Sequence, residues 1–208
     1  MRVQTPLEEK LNAFTHGLGA FFGLVALYLL VHYNSEKTAW SLVSVVIYAI
    51  TIIILFCAST FYHASKSEKR KHYFRIIDHI SIYLLIAGTY TPVCLIALND
   101  SLGVFLFCTV WSIALLGAVL KLFFTGRFEV FSTLLYLITG WLIVLDISNL
   151  SEAIGPQGMW YLAAGGGAYT FGIIFYALEK IPYNHVIWHL LVLAGAVCHF
   201  LMIFLYII

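Results

Sequence analysis

The stretch NHVIWHLLVLAGAVCHF, residues 184–200, places three histidines in an otherwise apolar segment. His185 and His189 are four residues apart, so on a helix they share a face, with Cβ atoms about 6 Å apart, and can turn a ring nitrogen toward one point. A third imidazole, His63, closes the segment STFYH, and Ser59 shares its helical face. Three imidazoles gathered in one place suit a divalent cation, zinc first, and three protein ligands with a fourth position left open is the pattern of catalytic rather than structural zinc. Asp78 is then a carboxylate that can hold or deprotonate water, and Ser59 a hydroxyl that can orient a ring or that water. The spacing HxxxH is weak by itself, and an intramembrane histidine is more often a satisfied buried polar group than a ligand. On pattern alone the two readings stand level.

The elements that must position these residues follow from composition. With 62% hydrophobic and 10% charged residues among 208, and a mean hydropathy of +0.96, the chain is far from a soluble domain, where roughly 25% of residues are charged. A bilayer core takes about 20 apolar residues per helix. Seven such runs are present, approximately 14–32, 40–62, 78–97, 102–124, 130–147, 159–178 and 185–208. Short connections join them, so residues 1–208 are expected to form one all-α integral membrane domain, a seven-helix bundle. The ten-residue alternation of a membrane β-barrel does not recur. The first run follows the polar start Glu8, Glu9, Lys10 without a small-residue cleavage site, so it is expected to be retained.

Seven crossings put the N-terminus and the second, fourth and sixth connections on one face. That face carries Arg2, Lys10, Lys66, Lys69, Arg70, Lys71, Arg75, Lys121, Arg127 and Lys180, against Lys37 alone on the other. Basic residues favour the cytoplasmic side, so the N-terminus is expected in the cytoplasm and the C-terminus outside, in a multi-pass protein of the cell membrane. The run KSEKRKHYFR reads as that topological signal, a basic loop rather than a nucleic-acid or anionic-lipid patch. On this topology His63, Asp78, His185 and His189 all lie near the cytoplasmic face at similar depth. Cys57, Cys94, Cys108 and Cys198 fall inside apolar runs without CxxC spacing and read as small hydrophobes. Pro92, inside TYTPV, is expected to kink the third span and open space above Asp78, and Gly165 to Gly167 to let the sixth helix approach a neighbour.

Four blocks then resemble a known family: EKLNAFTH with Glu9, Asn12, Thr15 and His16; STFYH with Ser59 and His63; Asp78 opening the third span; and HVIWHLLVLAGAVCH. Together they look like the progestin and adiponectin Q receptor family, in the bacterial branch named after hemolysin III, over nearly the whole chain. The long cytoplasmic N-terminal extension of the animal receptors is not expected here, and hormone-receptor function is accordingly not the expectation. The resemblance implies a seven-helix bundle with zinc held by His63, His185 and His189, Asp78 on a water, and Ser59 nearby. His16, Asn12 and Glu9 are candidates to stand behind those ligands or to tie the first helix to neighbouring loops. His199, about 21 Å beyond His185 along a helix, cannot share the same metal and reads as a packing or relay residue.

The wider superfamily includes alkaline ceramidases, which makes zinc-dependent hydrolysis of a lipid amide or ester the leading expectation, with a membrane lipid as substrate. A non-catalytic membrane-homeostasis regulator or receptor-like protein with structural zinc is the alternative, and a pore-forming cytolysin a second one. No ring of charged pore-lining residues supports the last. No nucleic-acid partner is expected, and the sequence assigns no oligomeric state.

Overall fold

The computed structural model describes residues 4–208, so Arg2 of the charge count lies outside the described residues. The described chain is helical, in the order α1 Pro6–His32, α2 Ser41–Ala64, α3 Glu68–Pro92, α4 Gly103–Phe124, α5 Glu129–Gly140, α6 Ile147–Ala177 and α7 Asn184–Met202. Among these residues six helical stretches are long and apolar enough to cross a membrane. One of them, Glu129–Ala177, covers two of the seven expected runs. The protein is a multi-pass integral membrane protein.

The bundle has the polarity lipid demands. Phe14, Phe21, Leu24 and Tyr28 of α1, Leu116 and Phe123 of α4 and Trp160 and Phe171 of α6 face outward, while Asn12, His16, Ser59, His63 and His189 are buried. Water would drive the first group together, whereas hydrocarbon accepts it and instead expels the polar groups into the bundle. On α1 the buried residues Glu8, Asn12, Thr15, His16, Gly19, Gly23, Ala26 and Leu30 recur every three or four positions, a single stripe turned toward the other helices. α2 packs between α1 and α3, and α7 lies against both α6 and α1, which brings the ends of α2 and α7 together beside the start of α1.

Three local features depart from, or sharpen, the expected spans. α3 begins at Glu68 rather than at Asp78, so most of the basic run is helix and not loop. Lys, Arg and Glu favour helix, and two of these basic residues find carboxylates on other helices: Lys71 Nζ donates to Glu9 Oε1 at 2.5 Å, and Arg75 Nη2 pairs with Glu129 Oε1 at 3.5 Å. Pro92 ends α3 instead of bending its middle. A π-helical turn, Val93–Ala97, carries the chain on, with Leu98 N–H donating to Val93 O at 3.0 Å. Finally, α6 is broken at Gly155, where φ is 65° and ψ 179°, a conformation essentially restricted to glycine. Pro156 follows and, lacking an N–H, opens the next helical stretch without leaving a donor unsatisfied.

Candidate metal centre

Histidines that are 122 residues or more apart in sequence (63 to 185) meet because α2 ends where α7 begins. One ligand atom each from His63, His185 and His189 lies within 4.8 Å of the other two, and the ring centroids are 4.6 to 5.2 Å apart. His63 and His189 are buried. His185 and His189 reach one point because they are successive turns of one face, and His63 faces them from the last turn of α2.

The partners of these rings define which nitrogen is available. His63 Nδ1–H donates to Glu9 Oε2 at 2.7 Å, and His189 Nδ1–H donates to the carbonyl oxygen of Asn12 at 3.3 Å. A carbonyl or carboxylate oxygen can only accept, so each Nδ1 carries a proton, and in the neutral ring, the form that ligates a metal, Nε2 holds the lone pair. His63 Nε2 is buried without a hydrogen-bond partner. A buried nitrogen lone pair turned toward two other imidazoles is the situation a soft-to-borderline cation such as zinc relieves, so the donor set fits that ion. The three rings would hold it, with Glu9 and Asn12 fixing two of them from behind.

Asn12 and Glu9 therefore tie α1 to the two helices that carry the histidines, rather than to neighbouring loops. The loop contact belongs to Glu8, whose carboxylate accepts from Tyr183 N at 3.1 Å while also closing a capping box with Thr5. Sequence reasoning passed over Glu8, although T-x-x-E before an apolar run is the signature of such a box. His16 lies one turn beyond Asn12 and stacks flat on His189, centroids 3.5 Å apart and planes 9° from parallel. Neither of its nitrogens has a partner. His199 stands apart from the cluster, against the ring of Tyr169 at 5.4 Å. His79 is also apart, with Nδ1–H donating to Arg75 O at 2.7 Å.

Ser59 and Asp78 line a cavity of about 400 Å³ whose wall also includes His185 and His189. Tyr62, Tyr136 and Tyr176 complete its polar end, and beyond them the wall is mostly apolar, formed by residues such as Ile82, Leu85, Ile143, Met159 and Val192, with Thr89, Thr170 and His199 among its polar members. Pro92 itself is not among its lining residues, although Thr89 and Tyr90 of the preceding turn are. The space lies where α5 stands off from its neighbours, making only sparse contact with α3, α4 and α6. A chamber with a few polar groups at one end and an apolar remainder can seat the head of an amphiphile beside the histidines and its chain along the helices.

Fold and site together define a multi-pass helical membrane protein with a histidine cluster, supported by a first-helix carboxylate, at the end of a lipid-sized chamber. Residues 4–200 match the sequence profile of the Haemolysin-III related family, and the chain belongs to that family. It is 43% identical to Hemolysin-3 of Bacillus cereus over 202 residues, covering 97% of this chain and 92% of that protein. It is 41% identical to the Hemolysin-3 homolog of Bacillus subtilis (strain 168) over 200 residues, 96% and 94% of the two chains. The Homo sapiens monocyte to macrophage differentiation factor aligns at 28% identity over 208 residues, 97% of this chain and 85% of that one, in keeping with the wider progestin and adiponectin Q receptor resemblance.

Proposed function

We propose that this protein is a zinc-dependent hydrolase of a lipid amide or ester bond, built on seven membrane crossings with the N-terminus in the cytoplasm. The observation that carries the reading is the convergence of three imidazoles, two of them donating Nδ1–H to an acceptor behind them, with His185 and His189 lining the apolar chamber that Asp78 also lines. A bound zinc ion supplies Lewis-acid polarisation of the scissile carbonyl and eases ionisation of water. The rest falls to the chain. Asp78 takes the proton from the attacking water and passes it to the leaving nitrogen or oxygen. Ser59 stands beside it to orient the water, Glu9 and Asn12 keep the rings of His63 and His189 in register, and the apolar wall seats the acyl chain and excludes bulk water.

The seventh crossing is supported by the break at Gly155. Trp141 Nε1–H donates to Thr170 Oγ1 at 3.2 Å, 29 residues on. In an unbroken helix those residues would lie about 44 Å apart, so the chain doubles back between them, and Glu129–Ala177 makes two antiparallel crossings. An odd number of crossings separates the termini, and the ten-to-one basic bias puts the N-terminus and the histidine cluster on the cytoplasmic side.

The test is Asp78→Asn in detergent-purified protein, with metal content and fatty-acid release from a panel of ceramides and acyl esters read on the same samples. Zinc retained at wild-type stoichiometry with turnover abolished is the expected result. Turnover unchanged removes Asp78 from the chemistry, and a wild type that binds zinc yet cleaves nothing in the panel moves the protein to the non-catalytic regulator.

A further inference from the structure

A second recess lies at the same end of the bundle but opens on its outer surface, between the end of α4 and the start of α5. It measures about 310 Å³ and is lined by Lys121 and Phe124 of α4, Arg127 and Phe128 of the connecting turn, and Phe131 and Ser132 of α5. Its walls are aromatic and face away from the core, with Phe124, Phe128 and Phe131 all exposed. Its polar lining is Lys121, Arg127 and the Ser132 hydroxyl.

The charges around it do not cancel. Glu129 is the acidic group of the turn, and its carboxylate already accepts from Lys121 Nζ at 2.9 Å, from Gly126 N at 3.0 Å and, more distantly, from Arg75 at 3.5 Å. His79 Nε2 approaches the same carboxylate at 3.7 Å, and Asp78, three residues from Arg75 on α3, lines the main chamber instead. Glu129 thus pairs with both Lys121 and Arg75. Arg127 has no ion pair among the described residues and projects from an exposed position. Phe128 adopts a left-handed backbone conformation, φ 54°, which an aromatic residue rarely takes, and its ring meets that of Phe124 at 6.0 Å.

We infer that this recess is a binding site for an anionic glycerophospholipid, whose phosphate is held by the Arg127 guanidinium beside the Lys121–Glu129 pair and whose acyl chain lies over Phe124 and Phe131. The guanidinium fork matches phosphate oxygens in pairs. Cationic recesses between helices on the cytoplasmic side are where anionic head groups collect, because that leaflet carries the negative surface charge. Among the described residues no carboxylate lines the recess, Glu129 being turned to Lys121 and Arg75, and the aromatic walls favour a chain over water, which selects a lipid rather than a free anion. The site is separate from the histidine cluster and rests on the proposed orientation of the bundle only for its leaflet.

The test uses the full-length protein in detergent, with dioleoyl phosphatidylglycerol, dioleoyl phosphatidylcholine and inorganic phosphate as three probes, read by native mass spectrometry and by thermal stability. Phosphatidylglycerol is expected to bind at least fivefold more tightly than phosphatidylcholine. Arg127→Gln should abolish that preference, Arg127→Lys should keep part of it, and Lys37→Gln at the opposite end should leave it intact. A monodisperse size-exclusion profile and an unchanged helical circular-dichroism spectrum verify that each variant is folded. A preference surviving in Arg127→Gln overturns the site, and inorganic phosphate matching the lipid shows an anion site instead. Labelling of Arg127→Cys from each side of sealed vesicles tests the leaflet independently: labelling only from outside refutes the orientation while leaving the lipid site standing.

Discussion

Replacing Glu9 by alanine removes nothing that would touch a metal, yet it should weaken zinc binding by about ten- to hundredfold, the usual cost of deleting the hydrogen-bond partner behind a ligating histidine. That range is about 1.4–2.8 kcal/mol. It follows from one bond, His63 Nδ1–H to Glu9 Oε2 at 2.7 Å, which fixes the tautomer and raises the basicity of Nε2. Glutamine keeps an acceptor in that position but not its charge. Because a charge-assisted hydrogen bond is roughly twice as strong as a neutral one, Glu9→Gln should lose about half as much free energy, which is about three- to tenfold in affinity. Glu9 also accepts from Lys71, an ion pair that is only partly exposed, so Lys71→Met serves as the control for the α1–α3 tie and should change zinc affinity less than about fivefold, since a pair near the surface contributes at most about 1 kcal/mol. The assay is competition for zinc against a chromophoric chelator in detergent, with thermal unfolding alongside. Wild-type affinity in Glu9→Ala, or an equal loss in Lys71→Met, would show that the carboxylate does not act through His63.

Two further expectations concern the backbone. A Cβ at Gly165 would run into the ring of His199, whereas one at Gly167 meets nothing within 4 Å. Gly165→Ala should therefore cost about 1–3 kcal/mol through overpacking and Gly167→Ala next to nothing, compared by thermal or denaturant unfolding in one detergent. Gly155→Ala forces an L residue into a conformation costing on the order of 1–3 kcal/mol; an unfolding midpoint equal to wild type would mean that the turn at this position is not as described.

The polar supports of the site were only partly legible. Glu9 and Asn12 could be singled out because they sit on the buried stripe of α1 with His16, but their targets, His63 and His189, are 54 and 177 residues away, and no local spacing encodes such a pairing. The flat stack of His16 on His189 has no sequence signal at all, because ring orientation is set by the packing of α1 against α7. The basic run before Asp78 was misread as loop for a related reason. Its charges mark a membrane boundary, and a boundary says nothing about whether the chain stays helical beyond it, which here depends on Lys71 and Arg75 finding Glu9 and Glu129 across the bundle.

What the sequence by itself determined is whatever a bilayer enforces locally. Hydrocarbon accepts only long apolar helices with their backbone groups satisfied internally, so composition and run length alone made this a multi-pass helical protein, and helical period alone put His185 and His189 on one face. Which side chains meet across helices, where α5 stands away to leave a chamber, and which nitrogen of each imidazole keeps its lone pair were decided by tertiary structure. Those are relations among separate helices, and lipid, being as apolar as the faces it covers, leaves their choice to close packing and to the hydrogen bonds that buried polar groups must find in one another.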